Sequence, residues 1–565
     1  MRLVEIRDLD GPNLFLLAPA IKVEWAIAAG DLTADAIGAL AARLEPFGVV
    51  SDNRPAGGAA LGETLADAVS GLFRRNGQPE PETIWTDLEE PGHVALAFGW
   101  ERRRFALSVA RLVADVADGA IVDPRTAADR LPALLANDDP ADRPLMIRDA
   151  DRRIPVVAVT GTNGKTTTTR LIAHILRQTG RVVGWSSTTG VYIEGERVLE
   201  GDYSGPAGAR RVLNEPGIDA AVLETARGGI LLRGLATESN DVGVLINISA
   251  DHLGLQGVLT VEGLARVKAV VVRVTKPGGV VVLNADDPLA RGVACGVRTE
   301  ILWISRDPDN PTVLAHVQDG GRALVARDGR FVAVRGERET PIAAVADIPI
   351  AWGGLAEHMV ENALCATAAC LALGVPPDAI ARGLATFGAE PSDNPGRLHI
   401  YDITGATVIL DYAHNEVGLE HLLRLASGFR GEAGRIVAII GTAGDRTDEA
   451  LRSLGRIAAS GADRVIVKET RRYLRGRSSP QEMTDLFCAG IAAVGGADYT
   501  VVPDEATAFD LALEGVGPGD VVAMMCIEEG PALRERALHL GRERHDVGMP
   551  SPPTPLPLRQ ARGDE

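Results

Sequence analysis

Residues 156–169, with the sequence VVAVTGTNGKTTTT, constrain the fold of this 565-residue chain more than any other feature. The segment opens with apolar, β-prone residues that predict a buried strand, turns through Gly161 and Gly164, and continues into a pattern with one apolar helical face. A glycine-rich turn of this kind directs backbone N–H groups and the positive end of the helix dipole at one point. Lys165 adds a charge for phosphate oxygens, and the Thr166 hydroxyl suits Mg²⁺. The segment therefore predicts a phosphate-binding loop.

The loop is a variant of the general P-loop pattern. That pattern places a glycine five residues before Gly164, where this chain has Val159. Because the strand, the glycines, the lysine and the hydroxyls follow in order, phosphate binding is favoured over an ordinary glycine turn. The residues expected to contact the phosphates here are Gly161, Thr162, Asn163, Gly164, Lys165, Thr166 and Thr167.

Composition excludes several classes of protein. The formal net charge of −18 argues against non-specific binding to nucleic acid or to an anionic membrane. The five cysteines lack C-x-x-C spacing, so neither a disulfide framework nor a structural zinc site is expected. The sequence shows no apolar run of 18 residues and no signal-peptide pattern, which predicts a cytoplasmic protein.

The pattern of strands and helices predicts three folded units. Residues 1–145 have an α+β pattern without an evident catalytic constellation, and 137–153 are linker-like. Residues 152–390 alternate strands with helices, as a parallel sheet requires, and 391–545 predict a second doubly wound α/β sheet. The Pro-rich tail, 546–565, is expected to be disordered.

Polar residues end several strands of the second unit. The apolar runs 218–224, 242–247 and 279–284 end at Glu224, Asn247 and Asn284. Because ligands of open α/β sheets sit at the carboxyl ends of the strands, these residues should share a rim with the phosphate loop. The segment 302–345, including 313–318, is expected to form a β-meander that gives a small antiparallel insert or edge sheet.

The run GTNGKTT at 161–167 resembles the nucleotide loop of the Mur ligase family, and ETARGGILLR at 224–233 resembles its cyanophycin synthetase branch. Residues 7–13 and 19–22 resemble the opening of cyanophycin synthetases. The resemblance implies a central P-loop domain with a parallel sheet and a C-terminal doubly wound domain. In that branch an ATP-grasp domain follows the first domain, but 151–155 lead here directly into the loop strand, so its ligation step is not carried over.

The resemblance also implies a set of site residues. Carbamylation of Lys268 by CO₂ would turn a cation into a second Mg²⁺-binding carboxylate. Without the resemblance, a single helical lysine such as Lys268 would be read as a solvated residue, and a single histidine such as His252 as a surface or core residue. Lys165, His252 and Lys268 would be catalytic, and the metal ligands would be Thr166, Glu224, His252 and Lys268. Further ATP contacts would come from Asn284, Asp287, Asn362, Arg397 and Asp411. Substrate contacts would come from Ser204, Arg227, Asp445, Arg446, Arg475 and Arg477, where solvated surface charge explains the arginines of the third unit equally well.

These features predict an ATP-dependent ligase that forms an amide through an acyl phosphate, adding an amino acid to an acidic amino-acid or peptide acceptor. One alternative is the Mur-like subunit of a split polymer synthetase with a separate ATP-grasp chain. Another is a non-catalytic nucleotide-binding regulator. A plain P-loop ATPase or kinase is disfavoured because it leaves the third unit without a role. The acceptor, the added amino acid and any homo-oligomer stay open.

Overall fold

The computed structural model describes residues 1–50, 55–121, 124–136, 139–390, 392–495 and 498–544. The predicted disordered tail, 546–565, lies outside the described residues. Among the described residues, no helix has the length and apolar character needed to cross a membrane.

The first part of the chain forms a four-stranded antiparallel sheet with the order β1-β2-β4-β3. Alternate residues of β2, namely Ile21, Val23 and Trp25, point into a core shared with the first three helices. The predicted α+β character is confirmed. The elements are β1 (Arg2–Leu9), β2 (Ala20–Ala26), α1 (Ala34–Leu44), α2 (Gly58–Arg75), β3 (Thr83–Asp87), β4 (His93–Gly99), α3 (Arg103–Ala117) and α4 (Pro124–Ala128).

The second part of the chain is built on a large mixed sheet. Its first half comprises β5 (Val156–Thr160), α5 (Lys165–Arg177), β6 (Val183–Ser187), β7 (Gly190–Ile193), β8 (Glu196–Glu200), α6 (Pro206–Leu213), β9 (Ala220–Glu224), α7 (Arg227–Arg233), β10 (Asn240–Leu245) and α8 (Val261–Arg273). Its second half comprises β11 (Thr275–Asn284), α9 (Pro288–Val293), β12 (Glu300–Ser305), α10 (Pro311–Gln318), β13 (Arg322–Arg327), β14 (Arg330–Arg335), β15 (Arg338–Ala344), α11 (Glu357–Ala372) and α12 (Pro377–Thr386).

Within the described residues this sheet has eleven strands in the order β15-β14-β13-β12-β11-β10-β5-β9-β6-β7-β8. The strands from β13 to β6 run parallel, and antiparallel strands extend both edges. The phosphate-loop strand β5 lies between β10 and β9, so the loop, Glu224 and Asn247 emerge from one edge of the sheet.

The insert 302–345 contains the expected antiparallel edge strands, but one part of its prediction was wrong. Residues 313–318 belong to the helix α10 and not to a strand. The Asn310 side chain accepts a hydrogen bond from the backbone N–H of Thr312, and Pro311 occupies the first turn, which is a strong helix start. The local start signal therefore outweighed the apolar residues that suggested a strand.

The third part of the chain forms a second α/β sheet with the order β20-β19-β18-β21-β17-β16-β22, parallel from β20 to β17. This confirms the predicted doubly wound character. The elements are β16 (His399–Ile403), β17 (Ala406–Asp411), α13 (Glu416–Phe429), β18 (Ile436–Ile440), α14 (Asp448–Gly461), β19 (Arg464–Lys468), α15 (Pro480–Val494), β20 (Asp498–Val502), α16 (Glu505–Leu513), β21 (Val521–Met525), α17 (Gly530–Leu540) and β22 (Arg542–Glu543).

Candidate functional site

The phosphate loop is held in shape by neighbouring side chains. Its last glycine, Gly164, caps α5 with a left-handed backbone (φ +83°), and a Cβ there would lie 2.0 Å from Oδ1 of Asn362 on α11. Oδ1 of Asn247 accepts hydrogen bonds from the N–H groups of Thr162 (3.2 Å) and Asn163 (2.9 Å). Only glycine therefore fits at the start of α5, and the turn is fixed by the end of the neighbouring strand.

Lys165 is half-buried beside this loop. Its Nζ donates a hydrogen bond to the carbonyl of Thr162 at 2.8 Å. Burial lowers the pKa of the Lys165 ammonium, whereas the carboxylates of Glu224 and Asp251 raise it. A partly desolvated lysine beside N–H groups that point at phosphate is well placed to bind a polyanion. The negative charges of the ligand would stabilise the ammonium, which burial destabilises.

Glu224 ends β9 beside the loop, with 1% of its surface exposed. Its Oε2 accepts a hydrogen bond from the N–H of Thr188 at 3.2 Å, while its buried Oε1 lacks a hydrogen-bond partner among the described residues. Burial raises the pKa of this carboxyl, and Lys165 lowers it. The Thr166 hydroxyl lies 3.0 Å from that of Thr188. A buried, incompletely satisfied carboxylate near a threonine hydroxyl is the hard-oxygen donor set that suits Mg²⁺.

Lys268 reaches the same loop from α8. Its side chain is 3% exposed, and its Nζ donates a 2.6 Å hydrogen bond to the carbonyl of Gly161. Burial, reinforced by the nearby ammonium of Lys165, lowers the pKa of Lys268 well below its ordinary value. The structure thus brings Lys165, Glu224 and Lys268 together around the phosphate loop.

His252 follows the same sheet edge and faces the third part of the chain. Its Nδ1 lies 3.2 Å from Oδ2 of Asp445, while Nη1 of Arg446 lies 2.8 Å from Oδ1 of Asp251. The second contact is an ion pair that is not aligned as a hydrogen bond. Burial raises the pKa of Asp251, but the charges of Arg446 and the neighbouring His414 lower that pKa by more, so the net shift is downward. The loop after β10 is therefore joined by two charged contacts to the third part of the chain, which is called the third domain from here on.

Several buried polar atoms at this junction lack hydrogen-bond partners among the described residues. They are Oγ of Ser249, Oδ1 of Asp251, Oδ1 of Asp445, and Nε and Nη1 of Arg446. Although Asp251 and Arg446 are ion-paired, these atoms keep unused hydrogen-bonding capacity, and their concentration here fits a site that binds a polar molecule.

A cleft of about 700 Å³ opens between α11 and the third domain. Of the residues expected to contact ATP, Asn163, Gly164, Thr166, Thr167, Asn362, Arg397 and Asp411 line it. The Arg397 guanidinium stacks over the Tyr412 ring at 4.8 Å from its centroid. The rings of His358 and His421, 5.0 Å apart, lie in the same wall, and burial lowers their pKa values to about 4 and about 3. Both imidazoles are therefore neutral at neutral pH and can pack against an aromatic ring.

Asn284 and Asp287 serve the turn after β11. Oδ1 of Asn284 accepts from the N–H of Asp286 at 3.0 Å, and Oδ1 of Asp287 caps α9. Oδ2 of Asp287 accepts from the N–H of Ile248 at 2.6 Å, which holds the loop after β10. The described lining of the cleft does not include either residue.

The residues expected to contact substrate fall into two groups. Arg227, half-buried at the start of α7, donates to the carbonyl of Leu255 at 3.1 Å. The hydroxyl of Ser204 donates to Asp202 at 2.6 Å. These two residues lie on the side of the second domain, near Glu224.

In the third domain, Arg475 pairs with Asp445 at 2.6 Å. Burial raises the pKa of Asp445, but the hydrogen bonds from His252 and Arg475 lower it more, giving a net downward shift. Arg477 contacts Asp448 (2.7 Å), Glu482 and the carbonyl of Arg446, so its guanidinium braces the loop. Asp445, Arg446 and Arg475 thus adjoin the junction, whereas the contacts of Arg477 are structural.

Several residues of the site contact partners that are distant in sequence, and they were not predicted. Asn415 and Asn163 exchange amide hydrogen bonds of 3.0 and 3.3 Å between the two domains. Oδ1 of Asn394 accepts from the Thr167 hydroxyl at 3.2 Å. Oε1 of Glu361 accepts from the Asn247 side chain at 3.0 Å, and burial raises the pKa of Glu361 to about 7. The adjacency of Glu361 to Asn362 was the one sequence signal available for it.

Comparisons with known proteins match the second and third parts of the chain. The Mur ligase middle domain matches residues 159–370, and the Mur ligase glutamate ligase domain matches 396–526. Cyanophycin synthetase of Crocosphaera subtropica is 40% identical over 400 residues, which cover 71% of this chain and 45% of that protein. The UDP-N-acetylmuramyl-tripeptide synthetase of a Roseiflexus species is 32% identical over 399 residues, covering 66% of this chain and 74% of that protein. The chain spans less than half the length of the cyanophycin synthetases that it matches.

Among solved structures, E. coli FolC in complex with DHPP and ADP matches with a TM-score of 0.50 and 21% identity, covering 68% of this chain and 89% of that one. A bifunctional folylpolyglutamate synthase/dihydrofolate synthase with Mn, AMPPNP and L-glutamate bound gives the same score and identity, covering 68% and 90%. At this identity the likeness establishes the fold.

Proposed function

This chain belongs to the Mur ligase family, and from that membership together with the site geometry we propose that it is an ATP-dependent ligase that joins an amine to a carboxylate. The observation that carries the proposal is that Glu224 and Lys268 lie beside the phosphate loop, and that this loop contacts the third domain through Asn163 and Asn415. A nucleotide-binding loop alone would serve many enzymes, but a loop that meets the third domain suits a reaction with two further substrates.

The reaction that we propose has two steps. An oxygen of the acceptor carboxylate attacks the γ-phosphorus of ATP, and ADP leaves, which gives an acyl phosphate. The amine then attacks the acyl carbon, phosphate leaves, and the amine loses a proton to give the amide. Lys165 and the loop N–H groups would hold the phosphates in line, since catalysis of phosphoryl transfer is mostly positioning and electrostatic stabilisation.

Mg²⁺ is the cofactor that the donor set fits. Thr166 and Glu224 would hold one ion, His252 and a carbamylated Lys268 would lie at a second, and the ions would supply neutralisation of phosphate charge. The support for this ligand set is the unpartnered Oε1 of Glu224 and the hydroxyl of Thr166 nearby.

Carbamylation of Lys268 is part of the proposal. The reaction with CO₂ needs a neutral amine, because its nitrogen lone pair forms the new N–C bond and a proton is released. Burial and the charge of Lys165 favour that neutral form. The product is a carboxylate-like group, which would exchange the repulsion by Lys165 for attraction.

ATP would lie in the cleft between α11 and the third domain. The neutral rings of His358 and His421 would offer a stacking surface for the base, and Asp411 and Arg397, which line the cleft, would contact the ribose and the phosphates. We propose that Arg227 and Ser204 serve the acidic amino-acid or peptide acceptor. Asp445, Arg446 and Arg475 would then serve the incoming amino acid, because Asp445 and Arg446 carry buried polar atoms without partners.

The decisive experiment measures release of phosphate from ATP over a panel of amino acids and acidic acceptors, with the products identified by mass. We expect release that depends on both substrates and is lost in Lys165→Ala. Lys276→Ala is a control, because that lysine is 41% exposed and pairs with Asp241 at the start of β10, at the opposite end of the strand from the phosphate loop. ATP binding without turnover on any acceptor would contradict the ligase and favour a nucleotide-binding regulator. Turnover that requires an added ATP-grasp chain would favour the subunit of a split synthetase.

A further inference from the structure

The N-terminal domain reaches into the helix that carries Lys268. Glu89 lies in the turn between β3 and β4, and its side chain is 14% exposed. Its Oε2 accepts hydrogen bonds from the backbone N–H groups of Leu259 (2.6 Å) and Thr260 (2.8 Å), which immediately precede α8. Its Oε1 accepts from Nη2 of Arg266 at 2.6 Å. One carboxylate from another domain thus satisfies the donors at the start of this helix.

The start of α8 is shaped to receive this carboxylate. A Cβ on Gly263 would lie 1.7 Å from Oε1 of Glu89, so a larger residue there would displace this carboxylate. Thr260, the N-cap, accepts from the N–H of Gly263 at 3.0 Å, and the carboxylate of Glu89 supplements that cap. Burial raises the pKa of Glu89, but the backbone hydrogen bonds and Arg266 lower it more, so the charged form is favoured. A negative charge at this end of a helix is also stabilised by the helix dipole.

Lys268, which contacts the phosphate loop, lies further along α8. Lys268 follows Thr260 by eight residues, which is about 12 Å along an α-helix. At that point its Nζ contacts the carbonyl of Gly161 in the phosphate loop. A helix is stiff over two turns, so a shift at its capped end displaces the lysine by a similar amount.

A second set of contacts from the N-terminal domain supports the neighbouring helix α7. The N–H of Leu235 donates to the carbonyl of Pro12 at 2.8 Å, and the N–H of Asp10 donates to the carbonyl of Arg233 at 2.8 Å. Nη1 of Arg7 donates to the carbonyl of Leu231 at 3.0 Å. The N-terminal domain therefore contacts both helices that follow the Glu224 and Asn247 strands.

We propose that Glu89 is a positioning residue for Lys268, supplied to the ligase site by the N-terminal domain. The kinetic consequence rests on the proposed function, whereas the mechanical consequence does not. Loss of the carboxylate frees the first turn of α8 and lets Lys268 move relative to Gly161, while the cleft that holds the nucleotide keeps its shape.

The test compares Glu89→Ala and Glu89→Gln with Glu90→Ala in the full chain. Glu90 is the adjacent residue, and its carboxylate, 55% exposed, faces His93 rather than α8. In Glu89→Ala we expect hydrogen exchange at 259–264 to become about tenfold faster, with exchange in α5 unchanged. Glu89→Gln should be intermediate, because its amide oxygen still accepts from the two N–H groups. Glu90→Ala should match the unmodified protein.

Kinetics separate positioning from mere folding. Glu89→Ala should lower kcat by about 10- to 100-fold, the usual effect of removing a residue that orients a metal-site group, while the KM for ATP stays within about twofold. Unchanged exchange at 259–264, a uniform rise over the whole chain, or faster exchange with an unchanged kcat would each overturn the proposal. If the unmodified protein turns over no acceptor, the proposed function fails, and the exchange data alone decide whether Glu89 holds α8.

Discussion

Replacing Gly164 with alanine tests the geometry of the phosphate loop directly. The residue has a φ of +83°, a conformation that costs an L-residue about 1–2 kcal/mol. The new Cβ would also lie 2.0 Å from Oδ1 of Asn362, closer than any real contact. Moving Asn362 or the loop adds about 1–3 kcal/mol, as for other overpacked sites. We therefore expect a total cost of about 2–5 kcal/mol.

Gly180→Ala is a matched control at the other end of α5. Its φ of +79° carries the same backbone cost, but a Cβ there meets nothing within 4 Å. The difference between the two variants thus isolates the overlap with Asn362. Thermal unfolding followed by circular dichroism should show a larger loss of stability in Gly164→Ala than in Gly180→Ala.

Nucleotide affinity gives the second readout. Because relief of the overlap moves the loop or Asn362, calorimetric titration should show ATP binding weakened by at least about tenfold in Gly164→Ala, which corresponds to about 1.4 kcal/mol. Gly180→Ala should bind ATP like the unmodified protein. Equal stability of the two variants together with undiminished ATP binding by Gly164→Ala would refute the close packing of α5 against α11 as the reason for the glycine.

Three further predictions follow from the site. Asp251→Asn leaves the buried guanidinium of Arg446 without its counter-charge, a loss of about 3–5 kcal/mol for such pairs, so the two domains should separate and small-angle X-ray scattering should show a larger radius of gyration. Thr166→Val removes one hydroxyl at nearly constant volume, and a Mg²⁺ titration of turnover should show at least a tenfold higher requirement. Burial raises the pKa of Glu361 from 4.5 to about 7. Folding therefore favours the protonated form, and the free energy of unfolding should fall as pH rises through that interval. A thermal midpoint of Glu361→Gln that falls with pH as steeply as that of the unmodified protein would contradict this.

Local patterns were sufficient to predict the parts of this molecule that depend on neighbouring residues. Strand β5, the turn through Gly161 and Gly164, and the helix that follows are encoded within one short segment. Strand ends such as Glu224 could be assigned to the same rim, because parallel strands of one sheet share a carboxyl edge. The cap formed by Asn310 was not predicted, and it makes residues 313–318 helical where a strand was expected.

Contacts between distant segments could not be predicted in this way. The mutual hydrogen bonds of Asn163 and Asn415 join residues 252 positions apart, and each residue alone resembles an ordinary loop asparagine. The packing of Asn362 against Gly164 likewise depends on how α11 lies on α5. One chain gives no information on which distant residues meet, so the cleft between the domains emerges only from the three-dimensional structure.

The hydrogen bonds from Leu259 and Thr260 to Glu89 bear on how such a chain could have been assembled. A domain that completes the start of a neighbour's helix is not a detachable module, since removing it takes the carboxylate away from these two N–H groups and from the space beside Gly263. Recombination that exchanged the first 120 or so residues for an unrelated domain would have to rewrite the start of α8 in the same event. The N-terminal domain and the start of α8 are therefore expected to be inherited together.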